Sequence, residues 1–503
     1  MNRRLRLAAL AALAALGAGC ATLDAPFSGH LASPAPQLRE CAEWLRTLDQ
    51  KVAETHVRDA QDTPVQGFPY LRASRLLAAL RPLAESNAAA LQALAERMRA
   101  LDFEARHYEI LNLPAGAIEG MRDAADRPGV KSALERTQRC GNLLRDADLA
   151  DAASRRALLE RATVPDDYLT AGRVLGLYAL TQIPFASGVR RYEEETREAF
   201  RRELTTPPGA SLVRYAPPPG PPLPRAEVAR ILARAADNPL GIPEPGEAEL
   251  RRLLAAYAPS FEIAAQAAYD RIGALHWSRE SSMPEVDVAR PVVYAHAAWT
   301  HYDGRVLLQL VYTAWFPERP AQTSGDILAG RLDGVTWRVT LAPDGEPLLY
   351  DSIHPCGCYH LFFPTPRAQA RPAPEGPEEW MFAPQTLPRF AEGERPLVRL
   401  ATGTHYLERV SAVGGGDGPL RYELRPYGQL RSLARPDGAR ASIFGPDGLV
   451  AGSERPERWL FWPMGIESAG TMRQGGRQAT AFIGRRHFDD ADLLEKRFLL
   501  ELN

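Results

Sequence analysis

Val335-Thr-Trp-Arg-Val-Thr-Leu341-Ala-Pro-Asp344-Gly345-Glu-Pro-Leu-Leu-Tyr-Asp-Ser-Ile353-His354-Pro-Cys-Gly-Cys-Tyr-His360 is the stretch that decides how the chain is read. Val335 to Leu341 is an apolar run of the kind that forms a strand. Asp344-Gly345 suits the positive φ angles of a tight turn, and a second apolar run to Ile353 follows it, so the segment is expected to form a β-hairpin. That hairpin delivers the chain straight into His354-Pro-Cys-Gly-Cys-Tyr-His360, the densest cluster of metal-ligating and nucleophilic side chains in the sequence.

The same grammar extends outward. Asp-Gly pairs occur at 303, 333, 344, 417, 437 and 447 and nowhere before residue 300, and seven of the eight tryptophans lie beyond residue 270. Val292 to Trp299 and Val306 to Trp315, flanking Asp303-Gly304, are expected to pair as another hairpin. After a Pro-rich interruption over 364–378, the segments 396–402, 405–413, 419–426, 440–444 and 478–483 read as further strands, and 490–500 as a short helix. Toward the N-terminus the period changes to that of helices. Leu91, Leu94, Met98, Leu101, Ala105, Tyr108 and Leu111 form one stripe over 87–112. Other helices are expected at 70–81, 131–146, 152–162, 167–180, 189–203, 226–236 and 246–257, with Pro165 and Pro184 as breakers. The run of Glu193, Glu194 and Glu195 among arginines reads as a solvated helix face.

Pro217 to Pro224 holds six prolines in eight residues, which favours an extended spacer and marks the expected domain boundary. The expected fold is therefore α+β, a helical domain followed by an antiparallel β-rich domain. The segments are a tether over 20–36, a helical domain over 37–205, a Pro-rich linker over 206–225, short helices then hairpins over 226–363, and a second β-rich part over 379–503.

The leader, 1–19, has a basic start (Arg3, Arg4, Arg6) and an apolar run from Leu7 to Ala18, too short to span a bilayer but suited to a secretory signal. Its end, Leu16-Gly17-Ala18-Gly19-Cys20, resembles the bacterial lipoprotein signal, although Gly17 stands where a leucine is common and Leu16 comes one place early. The resemblance implies that Cys20 is lipidated and becomes the first mature residue, and Ala21 after it implies the outer membrane. The alternative is ordinary cleavage after Ala21 and a soluble periplasmic protein. A net charge of −2 over 503 residues carries no nucleic-acid footprint.

With Cys20 assigned to the anchor, Cys41, Cys140, Cys356 and Cys358 remain, and an oxidising compartment makes disulfides the default. Cys41 and Cys140 fall on predicted helices of one domain and are expected to pair. For His354, Cys356, Cys358 and His360, a straight strand would set the histidine backbones about 20 Å apart, so Pro355 and Gly357 must curl the segment for a compact site. Curled, it offers a Zn²⁺ or copper site, a small Cys356–Cys358 disulfide of static or redox kind, or a thiol nucleophile with a histidine base. His296, His301, His405 and His487 are the candidate additional ligands. The leading functional expectation is a lipid-anchored envelope protein whose β-rich domain binds a glycan or another envelope protein through Trp277, Trp299, Trp315, Trp337, Trp380, Trp459 and Trp462. A metal-binding or thiol-based enzyme or redox protein built on 354–360 is the alternative.

Overall fold

The computed structural model describes residues 25–119, 129–414, 418 and 420–502. The leader, Cys20 and Asp417 lie outside these described residues. The chain forms two units that divide between Pro165 and Asp166.

In the first unit, α2 (Ala88–Asn112) and α3 (Val130–Ala150) pack on a short hairpin of Thr63–Val65 and Phe68–Ala73, and α1 (Pro36–Glu54) packs on α3. Asn87 starts α2, its side chain accepting from the backbone N–H groups of Ala89 and Ala90. The inward face of α2 includes Leu94, Met98 and Ala105 of the expected stripe, but also Asp102, Arg106 and Glu109. These charges are buried because Arg72 enters from the hairpin. Its Nη2 lies 2.7 Å from Glu109 and its Nε 3.2 Å from Asp102, and Arg106 bridges Glu109 and Asp49. The two guanidiniums hold the Glu109 carboxyl down at about 2 against the desolvation that opposes them. This pairing explains why the expected helix over 70–81 is a strand up to Ala73, followed by the short helices Arg75–Ala79 and Arg81–Ser86. Cys41 on α1 and Cys140 on α3 are joined by a disulfide, 99 residues apart in sequence.

The second unit begins well before the Pro-rich run. Helix α4 (Tyr178–Arg201) packs Tyr192 on Tyr359 and Tyr406, and Phe200 on Phe363, so its residues belong with the sheets. The compositional change near 206 thus marks a switch from helix to strand inside one unit. Strand Ser211–Ala216 lies within the expected linker and pairs with Ser260–Ala265. Nor does Pro184 break the helix, since it lies inside α4 on an exposed face.

The main sheet contains β1 (Val292–Tyr302), β2 (Arg305–Arg319), β3 (Gly330–Leu341), β4 (Pro347–Ile353), β5 (Leu361–Pro364) and β6 (Glu423–Pro426), in the order β5-β4-β3-β2-β1-β6. The first five form an antiparallel meander. Asp303 and Gly304 both take positive φ, 48° and 72°, at the β1–β2 turn. β6 adds in parallel to β1, and a five-stranded sheet includes the parallel pair Ser260–Ala265 and Arg395–Leu400. One face of the main sheet, with Leu310, Tyr312, Trp337 and Val339, shares a core with Phe261, Ile263, Val398 and Leu400 of the second sheet. The architecture is α+β, with helices concentrated in the first half and sheets in the second.

The Cys41–Cys140 loop is long enough that its closure is worth about 4–5 kcal/mol in the chain-entropy model. Calorimetry of the protein with and without reductant is expected to show a lower melting transition for the first unit after reduction. An unchanged transition would remove the crosslink from the account of its stability.

Candidate functional site: an aromatic cavity floored by the 354–360 turn

Beyond Ile353 the chain curls. His354 N–H donates to the Cys358 carbonyl at 3.0 Å, and Gly357 N–H donates to the His354 carbonyl at 2.8 Å. Gly357 has φ +90°, and a Cβ there would lie 2.3 Å from the Ala479 carbonyl oxygen, so only glycine fits. Cys356 and Cys358 are unoxidised and hydrogen-bonded to each other. The bond from Cys358 lowers the Cys356 pKa and raises that of Cys358, so Cys356 is the thiol that ionises first.

The two histidines of the turn point to different carboxylates. His354 Nδ1 lies 3.1 Å from Asp333, and His360 Nε2 lies 2.9 Å from Asp351. Asp351 is also held bidentately by Arg338, at 2.9 and 2.5 Å. Burial depresses His360 to about 3, so it is neutral and donates to Asp351. Among the described residues no group of three or more His, Cys, Asp or Glu side chains is arranged to hold a metal ion. The zinc or copper set His354, Cys356, Cys358 and His360 is therefore not gathered around one point: its imidazoles serve as partners to separate buried carboxylates.

Asp333 is the centre of the larger network. Its carboxylate receives His354 on Oδ1, Arg455 Nη2 at 3.1 Å on the same oxygen, and His405 Nδ1 at 2.8 Å on Oδ2. His405 Nε2 then lies 3.5 Å from Asp270, which accepts from Thr402, Gly403 and Gln266. Despite burial, hydrogen bonds to the two carboxylates raise the His405 pKa, while the Asp333 carboxyl is held well below its ordinary value by His354 and Arg455. Of the other candidate histidines, His301 pairs with Glu495 and His487 with Asp166, Asp167 and Asp490, whereas His296 packs at a tilt against the Tyr427 ring and is pushed down to about 4 by burial.

Above the turn lies a cavity of about 590 Å³. Tyr192, Tyr359 and Tyr406 meet at ring separations of 4.6 to 5.9 Å on one side, and Phe185, Phe461 and Phe482 at 4.9 to 6.2 Å on another. Cys358, His360, Glu193, Glu195, Glu379, Glu457, Thr480 and Arg486 supply its polar groups. Glu457 is 2% exposed, and burial pushes its pKa up to about 7, so it exchanges a proton near neutrality. A second cavity of about 610 Å³ beside the Pro-rich run is lined by Arg251, Arg252, Glu392 and Glu394 and has no thiol or imidazole.

Sequence reasoning placed Asp333-Gly334 at a turn, whereas the pair lies inside β3. Gly334 is required there because a Cβ would meet the Ala314 carbonyl oxygen at 2.7 Å and Pro355 at 2.9 Å. Arg455 and Glu457 carried no signal beyond an unpatterned Arg-Pro-Glu-Arg run. The expected row of surface tryptophans is also absent from the sheets: Trp315 and Trp337 are core, and Trp277, Trp299 and Trp380 are half-buried with indoles bonded to main-chain carbonyls. No family model matches the chain, and neither a curated protein nor a solved structure matches it.

Because the folded pKa of His405 is raised, its contribution to stability is complete below about pH 6.5 and is lost as pH rises through the elevated value. His360 has the opposite sign: its contribution is present above about pH 6.5 and lost as pH falls toward 3. Replacing His405→Phe leaves two buried carboxylates without their shared cation, an expected cost of about 3–5 kcal/mol near pH 6. Denaturant midpoints across pH are expected to show the gap between wild type and variant narrowing at alkaline pH. A gap independent of pH would contradict the charged state of His405.

Proposed function

We propose that the chain is a cell-envelope protein, anchored to the outer membrane through lipid on Cys20, whose second unit binds an amphipathic small molecule in the aromatic cavity. The observation that carries this reading is the combination in one 590 Å³ space of an apolar wall of Phe185, Phe461 and Phe482 with a polar end at Cys358 and Glu457. Pockets of this size that combine an apolar wall with convergent polar groups suit a ligand whose tail is desolvated and whose head is oriented. The leader's resemblance to a lipoprotein signal supports the location. The reading takes the place of glycan recognition through surface tryptophans, because the two exposed ones, Trp459 and Trp462, lie on the short helical segment 458–464 and not on the sheets.

Gly188 on α4 faces the cavity and has nothing within 4 Å of the position its Cβ would take. Gly188→Phe therefore fills the space without displacing backbone, and removing a helical glycine favours the helix by about 0.5 kcal/mol. Binding of a fluorescent long-chain fatty acid, followed by titration, is expected to weaken at least about tenfold, a loss of 1.4 kcal/mol, with no fall in melting temperature. Wild-type affinity in that variant would count against the cavity as the binding site.

A second reading, thiol–disulfide exchange, is favoured by the hydrogen-bonded Cys356 and Cys358 pair, of which Cys358 lines the cavity and Cys356 is buried behind it. In it one cysteine of the pair attacks a disulfide substrate as the thiolate and releases the first thiol, and the other then displaces the second, so the pair is oxidised as the substrate is reduced. Peptide mapping without reductant distinguishes the two: recovery of a Cys356–Cys358 crosslink favours exchange, and two free thiols favour the binding reading.

A further inference from the structure

The exposed apolar side chains of the second unit are concentrated in two segments. Val174, Leu175, Leu180 and Ile183 come from the chain leading into and along the start of α4, and Trp459 and Trp462 from the short helical segment 458–464. Leu175 is 76% exposed, Trp459 72% and Leu180 65%. Leaving such groups in water has a free-energy cost, and a cluster of them marks an interaction surface.

The two segments are locked into one platform. Leu169 N–H donates to the Gly465 carbonyl at 2.7 Å, and the buried Arg173 donates to the Met464 carbonyl at 2.8 Å. Gly176 has no room for a side chain, because a Cβ would stand 2.5 Å from Pro463. The apolar groups are therefore held on a rigid surface and do not belong to a tail that happens to lie outside the core.

Composition points to the occupant. Residues 169–192 and 458–466 contain no aspartate or glutamate, and the cations nearest the apolar groups are Arg190, Arg191 and the half-buried Arg458, with Glu193, Glu194, Glu195, Glu457 and Glu467 immediately beyond. Arg190 and Arg191 are exposed, and the Arg458 guanidinium lies over the Trp459 ring. Exposed leucines and isoleucine with tryptophans at the edge and arginines around them are the composition of a surface that lies in a membrane interface, with the cations meeting anionic headgroups. No helix among the described residues is long and apolar enough to cross a membrane, so this is a surface contact. Pro184, Phe185, Leu460 and Phe461 belong both to this region and to the cavity lining, which places the cavity mouth at the same surface.

We propose that the platform formed by residues 169–185 and 458–464 docks on the surface of an anionic lipid bilayer. This contact is separate from any anchor at Cys20, and it does not depend on what the cavity binds.

Hydrogen exchange of the full chain, resolved by peptide, tests it and separates the platform from the leader. Adding vesicles of phosphatidylethanolamine and phosphatidylglycerol is expected to slow exchange about tenfold in peptides covering 170–184 and 458–464. The triple variant Leu175→Asp, Leu180→Asp, Trp459→Asp is expected to lose that protection with its melting temperature unchanged, since the replaced side chains are exposed. Unchanged exchange in the wild-type peptides on adding vesicles would overturn the proposal. So would protection that appears without vesicles as protein concentration rises, because the platform would then be covered by a second copy of the chain.

Discussion

A single buried carboxylate, that of Asp333, governs how the candidate site is assembled. Removing a carboxylate from water is expensive unless it is paired and hydrogen-bonded on both oxygens. Asp333 meets that demand with His354, His405 and Arg455, which come from three segments distant in sequence. Each partner carries a cavity residue close behind it. His354 begins the turn that presents Cys358 and Tyr359, His405 is followed by Tyr406, and Arg455 lies two residues before Glu457. The electrostatic requirement of one side chain thus brings together the floor and polar end of the cavity.

The same device recurs where the chain must specify one packing among many. Asp351, Arg338 and His360 tie β3 to β4 and to the end of the turn. In the first unit, Arg72 and Arg106 with Asp102 and Glu109 tie the hairpin to α2. Such networks add little net stability over an apolar core of equal volume, but breaking one partner leaves an uncompensated charge. Their value here is geometric, because each accepts only one relative placement of the segments it joins.

Much of the fold was legible because it follows local rules. The long helix α2 has its period and its Asn87 cap, and the hairpins β1–β2 and β3–β4 have apolar runs around Asp-Gly. What escaped depends on contacts remote in sequence. Phe68–Ala73 is a strand because Arg72 must reach Glu109, and α4 belongs with the sheets because Tyr192 packs on Tyr359. Asp333-Gly334 has the composition of a turn, yet its carboxylate is a buried acceptor and its glycine makes room for Pro355. The density of His354-Pro-Cys-Gly-Cys-Tyr-His360 did mark the floor of a cavity. Its histidines, however, are committed to carboxylates that periodicity alone could not bring near.

The central claim is that the cavity between Tyr192 and Phe461 holds an amphiphile with its head at Cys358 and Glu457 and its tail against Phe185, Phe461 and Phe482. Anomalous diffraction from crystals grown with a fatty acid brominated at the end of its chain locates that tail directly. The account predicts a bromine peak among those three phenylalanine rings. A fully soaked crystal with no peak in the cavity, or with the bromine bound only elsewhere, would contradict it.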